Sequence, residues 1–233
     1  MNEKRGFQQS HSTGAYSKFD DKEQWIRISE GCPNHCPFCY EISEQIWYGI
    51  PEIVRSKVSI MDMNMLSFPQ SLETIIELGR KEINGESVDY EFVCGIDWRY
   101  LTPEIAEALR SSRFRKIRLA WDWHYTDQFK IKKAIETLRK AGYRNRPDIM
   151  VFMICNWDIS FDECMKKLNL CKYWGVQVSD CYFDGQIMPN VEPIGWTAEQ
   201  IKTFRHEVRK HNQMVNFGCD PELAKQSDIG GRR

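Results

Sequence analysis

Apolar and β-branched runs alternate with segments of helical periodicity along most of the chain, and this alternation constrains the fold more than any other feature. The runs cover residues 24–29, 57–63, 90–95, 116–122, 149–156 and 176–183. A strand followed by a helix, repeated six times, predicts parallel strands joined by right-handed crossovers. The chain is therefore predicted to be an α/β protein. An open doubly wound sheet and a partial barrel both fit, and periodicity does not choose between them.

Residues that favour helix ends punctuate these units. Thr102 followed by Pro103 is typical of an N-cap and a first helical position. Segments 160–163 and 197–200 match the capping-box pattern, in which a Ser or Thr precedes a Glu or Gln by three residues. Gly175 stands where a C-terminal cap is expected. In both candidate folds ligands gather beyond the carboxyl ends of the strands, so functional residues are expected there.

The composition argues against several classes of protein. No apolar run approaches the roughly 18–20 residues that cross a bilayer, and the N-terminal residues lack the apolar core of a signal peptide. We therefore expect a cytoplasmic protein, with no membrane partner, whose nine cysteines stay reduced. A net charge of −1 argues against binding nucleic acid by charge alone. The predicted organisation is a polar N-terminal segment (1–22), a core domain (23–215) and a C-terminal tail (216–233).

Three cysteines directly after the first predicted strand form the most specific motif of the sequence. Cys32, Cys36 and Cys39 are separated by three and two residues. Pro33 and Pro37 disfavour a regular helix between them, so the segment is expected to form a loop around its ligand. A [4Fe-4S] cluster needs four ligands, and three thiolates from one loop would leave one iron open to another group.

A structural zinc site is the alternative for these cysteines. Such sites usually combine one Cys-x-x-Cys pair with a second, and the remaining cysteines contain no pair at that spacing. They are Cys94, Cys155, Cys164, Cys171, Cys181 and Cys219. His35 could complete a tetrahedron, although its position between two ligands would strain the loop. Under this alternative the chain would be a zinc-stabilised or electron-transfer binding module, with nucleic acid as a candidate ligand.

The motif Cys32-x-x-x-Cys36-x-x-Cys39, with Phe38 before the last cysteine and a strand before the first, resembles the radical S-adenosylmethionine (SAM) superfamily. The resemblance implies a [4Fe-4S] cluster on the three cysteines and SAM bound to the open iron. It implies an enzyme that accepts an electron from a donor such as flavodoxin or ferredoxin and cleaves SAM reductively. The resulting 5′-deoxyadenosyl radical would abstract hydrogen from an unidentified substrate. Phe38 would neighbour the adenine, and the fold would be a (β/α)6 partial TIM barrel.

The order of segments over residues 24–190 is similar to the barrels of the branch that includes cobalamin-binding radical SAM enzymes and methylthiotransferases. Residues 62–64 (Asp-Met-Asn) resemble that branch's Asp-Asp-Asn stretch, and residues 95–104 resemble its third strand ending. The sequence departs from the superfamily's Gly-Gly-Glu pattern after the second strand. We expect no cobalamin domain, no tRNA-binding domain and no second cysteine cluster within these 233 residues.

Polar residues after the second and third strands are candidate SAM contacts. Oxygen atoms of Asp62 and Asn64 could accept hydrogen bonds from the ammonium or ribose of SAM, and an Asx turn leaving the strand is the alternative. Asp97 and Arg99 would share one face if the third strand continues, and Arg99 suits a carboxylate. The alternative for Arg99 is an ion pair with a helix carboxylate.

Further polar and aromatic residues follow the last three strands and could complete the rim of a pocket. They are Trp121, Asp122, Trp123, His124 and Tyr125, then Asn156, Trp157 and Asp158, then Asp180, Tyr182 and Asp184. Basic residues within 110–118 and 139–146 predict either a solvated face or a patch for RNA or phosphate. The substrate could be a small molecule, a peptide or a nucleic acid, and the sequence does not show whether SAM is consumed or regenerated.

Overall fold

The computed structural model describes residues 15–39, 41–122, 124–182 and 195–217. Each of the six predicted strands is present and begins within one residue of its predicted run. The strands are β1 (Tyr16–Phe19), β2 (Gln24–Arg27), β3 (Ser29–Glu30), β4 (Ile46–Trp47), β5 (Lys57–Ile60), β6 (Glu82–Ile83), β7 (Glu86–Ser87), β8 (Asp89–Phe92), β9 (Ile117–Ala120), β10 (Ile149–Cys155) and β11 (Gln177–Tyr182).

The six predicted strands pair in parallel and in chain order. Strands β2, β5 and β8 are neighbours in one sheet, and β9, β10 and β11 are neighbours in another. Isolated parallel bridges, Tyr90 with Phe114 and Ile96 with Leu119, link the two sheets between β8 and β9. The prediction of an α/β protein with parallel strands is therefore confirmed.

Two features differ from the sequence prediction. Within the polar N-terminal segment, β1 pairs antiparallel with β2, because the Asp20 carboxylate accepts hydrogen bonds from the amides of Lys22 and Glu23 and closes the turn between them. The first crossover, residues 28–56, contains no helix among its described residues and instead forms the short antiparallel pair of β3 and β4. Prolines in this crossover remove backbone donors that a helix would need.

The helices follow the later strands, as the alternation predicts. They are α1 (Ser71–Gly79), α2 (Pro103–Ser111), α3 (Gln128–Lys140), α4 (Asn145–Asp148), α5 (Phe161–Trp174) and α6 (Ala198–Phe217). The Oγ atoms of Thr102 and Ser160 each accept a hydrogen bond from the amide three residues later, at 3.2 Å. Thr197 and Gln200 bond each other reciprocally, and Gly175 ends α5 in the left-handed conformation. The predicted caps are thus confirmed, and none of the described helices has the length and apolar character needed to span a bilayer.

The core lies between the strands and the helices. Tyr90 and Phe92 on β8 are almost fully buried and pack against Phe114, with ring centroids 5.1 and 4.9 Å away. Apolar faces of the helices, such as Leu109 and Ile135, cover the same side. Burying each such side chain contributes about 1.5–3 kcal/mol. This packing fixes the strand positions, and hence the loops at their carboxyl ends.

Helix α6 covers the outer edge of β11 through side chains rather than through another strand. The Asn212 side chain both accepts from the Val178 amide (2.9 Å) and donates to the Val178 carbonyl (2.7 Å). His211 donates from Nε2 to the Val176 carbonyl at 2.7 Å, and Asn216 accepts from the Gln177 amide group. The backbone of this edge strand is therefore partly satisfied by the helix, as a neighbouring strand would otherwise do.

Candidate functional site

The cysteine loop, defined as residues 31–43, leaves β3 at the carboxyl end of the first parallel strand. Gly31 begins it at φ +94°, and a Cβ there would lie 1.9 Å from the Glu44 carbonyl oxygen, so only glycine fits. The Gly31 amide donates to the Glu41 carboxylate at 2.7 Å, and the Cys32 amide donates to the Ile42 carbonyl at 2.9 Å. The two limbs of the loop are thereby tied together at its base.

The three predicted ligands are half-buried and lie within electrostatic range of one another. Burial, followed by the neighbouring Cys39 and Cys32 sulfurs, raises the pKa of Cys36 to about 12. Burial also raises the pKa of Cys39, although the Glu41 amide donates to its Sγ at 3.4 Å. The raised pKa values favour the protonated thiols of Cys36 and Cys39 near neutral pH, so binding of a metal centre to these two residues would release protons.

The geometry of the cysteine loop bears on the single-ion alternative for these residues. No three His, Cys, Asp or Glu side chains in the described parts of the chain are placed to hold one ion. Tetrahedral zinc bonds each thiolate at about 2.3 Å, which packs the sulfurs closely, whereas an iron–sulfur cube takes each cysteine on a different iron. His35, the proposed fourth zinc ligand, is exposed and its Nδ1 pairs with the Ser43 hydroxyl at 2.9 Å.

Asn64 joins the second strand to the cysteine loop. Its Nδ2 donates to the Cys32 sulfur at 3.3 Å. The side chain is buried, and its Oδ1 has no hydrogen-bond partner within the described structure. Leaving a buried acceptor unsatisfied costs about 1–3 kcal/mol, so this oxygen is a site where a ligand donor would gain free energy. The structure thus brings one predicted SAM contact directly beside a predicted cluster ligand.

Asp62, two residues earlier, is engaged within the protein. Its carboxylate accepts from the Ile28 amide at 3.0 Å and from both the amide and the hydroxyl of Ser29. Burial nevertheless raises the pKa of Asp62 to about 6. The side chain ties the end of β5 to the chain that enters the cysteine loop. Its direct contact with SAM stays a prediction.

Asp97 and Arg99 pair with each other. The third strand ends at Phe92, and Asp97 instead begins a 3₁₀ turn by accepting from the Arg99 amide. Its carboxylate binds Nη2 of Arg99 at 2.7 Å and also accepts from Nδ2 of Asn34, at 2.7 Å. Arg99 therefore forms an ion pair, as the alternative interpretation predicts. Its partner is the nearby Asp97, however, and not a carboxylate on a helix. Asn34, which the sequence analysis missed, docks the cysteine loop on this turn.

Phe38 lies against the end of the fifth parallel strand. Its ring centroid is 5.9 Å from that of Trp157, in an edge-to-face arrangement. Trp157 itself follows β10 and is nearly buried. The cysteine loop is therefore supported by the third strand ending through Asn34 and by the fifth through Phe38. Placement of Phe38 beside an adenine stays a prediction.

Asp122, after the fourth strand, is the residue that sequence reasoning most undervalued. It lies within electrostatic range of Cys36 and Cys39, and its Oδ1 accepts from the Ile154 amide at 3.0 Å. Burial raises the pKa of Asp122 to about 6. Behind it, fully buried Lys167 donates from Nζ to the Trp121 carbonyl at 3.0 Å. The sequence could identify Asp122 only as part of a polar strand ending, because the Lys167 contact spans two distant segments.

Replacing Asp122 by Asn should remove a pH dependence of folding stability. The raised pKa means that the folded state binds the proton more tightly than the unfolded state, so wild-type stability falls as pH rises from about 4 to about 6. The amide oxygen of the substituted side chain would still accept from the Ile154 amide. Between these pH values, the wild-type free energy of unfolding should decline relative to Asp122→Asn by about 1–3 kcal/mol. Urea unfolding of both proteins at intervals across this pH range measures the difference. The prediction is wrong if the free energy of unfolding depends on pH in the same way in both.

The other candidate rim residues are dispersed. The His124 side chain is exposed, and its Nδ1 lies 3.6 Å from Oε1 of Glu163. The Tyr182 ring lies under the Arg205 guanidinium at 4.3 Å, which turns it towards α6. Trp123 and Asp184 lie outside the described residues. Several basic side chains near β9 pair with carboxylates on β8, which fits the solvated-face alternative.

Comparison with known proteins shows a fold but not a family. No family model and no curated protein matches the chain. The fold is similar to that of the radical SAM methyltransferase TsrM from Kitasatospora setae with cobalamin and a [4Fe-4S] cluster bound, with a TM-score of 0.53 at 12% identity. A second TsrM structure, with tryptophan substrate and the SAM analogue aza-SAM, has a TM-score of 0.54 at 12% identity. These matches cover 68% of this chain but only 36% and 35% of TsrM.

Proposed function

We propose that the chain is a radical SAM enzyme that holds a [4Fe-4S] cluster on Cys32, Cys36 and Cys39. The observation that carries the proposal is the corner formed by Cys32 and Asn64, where a loop thiol meets a buried acceptor that lacks a donor within the described structure. The likeness to TsrM supports the fold that such chemistry uses. On this proposal the two sheets together form the (β/α)6 partial barrel, with the cluster at its carboxyl-terminal mouth.

The residues of the site would act chiefly by positioning. Asn64 would accept a hydrogen bond from the SAM ammonium, and the Asp97–Arg99 pair would present a guanidinium edge to the SAM carboxylate. Phe38 and Trp157 would form an aromatic wall, which excludes water and suits a planar base. When bound, the cluster supplies the electron that cleaves SAM to the 5′-deoxyadenosyl radical. The protein's part is to hold SAM and substrate in register and shield them.

The substrate and the fate of SAM stay open within this proposal. The chain spans 36% of TsrM, so TsrM's methyl transfer and cobalamin are not transferred to it. We expect hydrogen abstraction from a substrate held by the strand-end loops or by a partner protein, with a flavodoxin or ferredoxin as electron donor. A cytoplasmic location fits the reduced thiols and the low-potential donor that the reaction needs.

Anaerobic reconstitution tests the proposal directly. The full chain should bind close to four irons per molecule, and SAM should alter the electron paramagnetic resonance signal of the reduced protein. Incubation with a strong reductant should release 5′-deoxyadenosine slowly even without substrate. A colourless protein that retains one zinc would favour the binding-module alternative. A four-iron protein that neither binds nor cleaves SAM would contradict the enzyme assignment.

Asn64→Ala should weaken SAM binding while leaving iron content unchanged. The substitution removes a buried acceptor that we assign to the SAM ammonium, and a charge-assisted hydrogen bond is worth roughly 1.5–3 kcal/mol. The Kd for SAM should therefore rise about ten- to a hundredfold, measured by anaerobic calorimetry. Ser67→Ala is the matched control, because the Ser67 hydroxyl donates to the Asn64 backbone carbonyl without reaching its side chain. Equal SAM affinity in Asn64→Ala and wild type would remove this role from Asn64.

A further inference from the structure

Asn34 lies in the cysteine loop between two predicted cluster ligands, Cys32 and Cys36, and it bonds to a residue outside the loop. Its Nδ2 atom donates a hydrogen bond to Oδ2 of Asp97 at 2.7 Å, across 63 positions of the chain. His35, which follows it, has a φ of +49°, a backbone conformation that persists only where the surrounding structure holds it. The loop therefore fixes where the Asn34 side chain lies.

The Asp97 carboxylate joins the cysteine loop to Arg99. Its Oδ1 atom accepts from the amide and from Nε of Arg99, at 3.0 and 2.9 Å. Its Oδ2 atom binds Nη2 of Arg99 at 2.7 Å and also accepts from Asn34. The Asp97 side chain is 11% exposed and that of Arg99 is 41% exposed, so the carboxylate is enclosed while the guanidinium reaches the surface. A carboxylate held at both oxygen atoms resists rotation, and it therefore keeps the guanidinium in one orientation.

Other contacts support the cysteine loop without reaching this carboxylate. The Cys32 sulfur accepts from Asn64 at 3.3 Å, and the Phe38 ring packs edge-to-face against Trp157. The bond from Asn34 instead ends on the group that holds the guanidinium. A change in the position of the loop is therefore transmitted to the guanidinium through this bond.

We propose that Asn34 is a positioning residue that couples cluster loading to SAM binding through Asp97 and Arg99. The inference rests on the proposed function, in which Arg99 presents its guanidinium to the SAM carboxylate. When Cys32 and Cys36 bind the cluster, Asn34 between them is held as well, and it fixes the guanidinium before SAM arrives. A side chain that is already ordered loses less conformational entropy on binding, so loading raises SAM affinity beyond the contact of SAM with the open iron. The coupling is reciprocal, so SAM should also slow the loss of iron.

Anaerobic calorimetry on the reconstituted full chain tests the coupling. Asn34→Ala should raise the Kd for SAM at least about fivefold, because the guanidinium is no longer pre-organised, and should leave the iron content at the wild-type level. Asn34→Asp keeps the size of the side chain but lacks the amide donor, so it should weaken SAM binding at least as much. Ser43→Ala is the matched control, because the Ser43 hydroxyl pairs with His35 within the same loop and not with Asp97. A wild-type Kd in both Asn34 variants would overturn the proposal.

A double-mutant cycle shows whether Asn34 acts through Arg99. In the Arg99→Ala background the guanidinium is gone, so adding Asn34→Ala should change the Kd for SAM by less than about twofold. A residue that merely maintains the loop would instead weaken SAM binding equally in both backgrounds. Losses that multiply in the double variant would therefore overturn the coupling through Arg99.

Hydrogen exchange tests the same coupling without SAM. The amides of residues 99–101 belong to the turn that Asp97 begins. Reconstitution with iron and sulfide should slow their exchange at least about threefold in wild type but not in Asn34→Ala. Unchanged exchange in wild type, or equal slowing in both proteins, would overturn the link between the loop and the turn. A four-iron chain that binds no SAM would contradict the enzyme assignment, whereas this exchange comparison decides the role of Asn34 separately.

Discussion

Single replacement of Cys32, Cys36 or Cys39 by alanine is expected to remove most of the iron from the reconstituted chain, at least about tenfold relative to wild type. Three protein thiolates hold the proposed cluster, so none can be spared. Burial in the loop also raises the pKa of Cys36 and of Cys39, which disfavours the thiolates that a cluster needs. Iron and acid-labile sulfide assays after anaerobic reconstitution measure the loss.

Cys171→Ala is the matched control for these variants. Cys171 is fully buried on α5, and burial raises the pKa of its thiol, so it behaves as a small apolar side chain. Its loss should leave iron content unchanged at a modest cost in stability. Comparable iron loss from Cys171→Ala and the three loop variants would show that iron binding reflects general folding rather than ligation.

Asp62→Ala is expected to destabilise the fold by about 2–5 kcal/mol, a large effect for one side chain. The substitution leaves the Ile28 and Ser29 amides without their acceptor in a buried setting. These amides lie just before the cysteine loop, so its entry should loosen as well. Urea unfolding followed by circular dichroism gives the free energy of unfolding.

A second substitution shows whether the loss is specific to Asp62. Glu107 is an exposed carboxylate in the middle of α2, and Glu107→Ala should change the free energy of unfolding by no more than about 0.5 kcal/mol. If Asp62→Ala is equally mild, water replaces the carboxylate at no cost, and Asp62 is free to serve a ligand instead.

Local signals in the sequence predicted the fold well where neighbouring residues decide the outcome. The period of apolar residues located the six parallel strands, and the hydroxyls of Thr102 and Ser160 located two helix starts. The edge strand β1 was missed because its residues are mostly exposed, so no apolar alternation reveals it. Its position follows from pairing with β2, which periodicity does not report.

The candidate site was predictable in its ligands but not in its supports. Cysteine spacing is a local pattern, whereas the bond from Asn34 to Asp97 joins residues 63 positions apart. Asp62 is a similar case. The sequence places it at the end of a strand, but it does not reveal that the carboxylate accepts hydrogen bonds from the distant Ile28 and Ser29 amides. For Arg99, the sequence spacing predicts a position near Asp97. The ion pair between the two residues depends on the turn that Asp97 begins, which the spacing does not predict.

The helix that covers the edge of β11 has a consequence for how this chain could associate with others. Exposed edge strands offer unpaired amides and carbonyls to strands of another chain. At Val178 both groups are already taken by Asn212, and His211 takes the carbonyl of Val176. Strand addition at this edge would first have to detach α6. A partner protein or a further domain would therefore dock on side chains, at the helices or the strand-end loops, and not by extending this sheet.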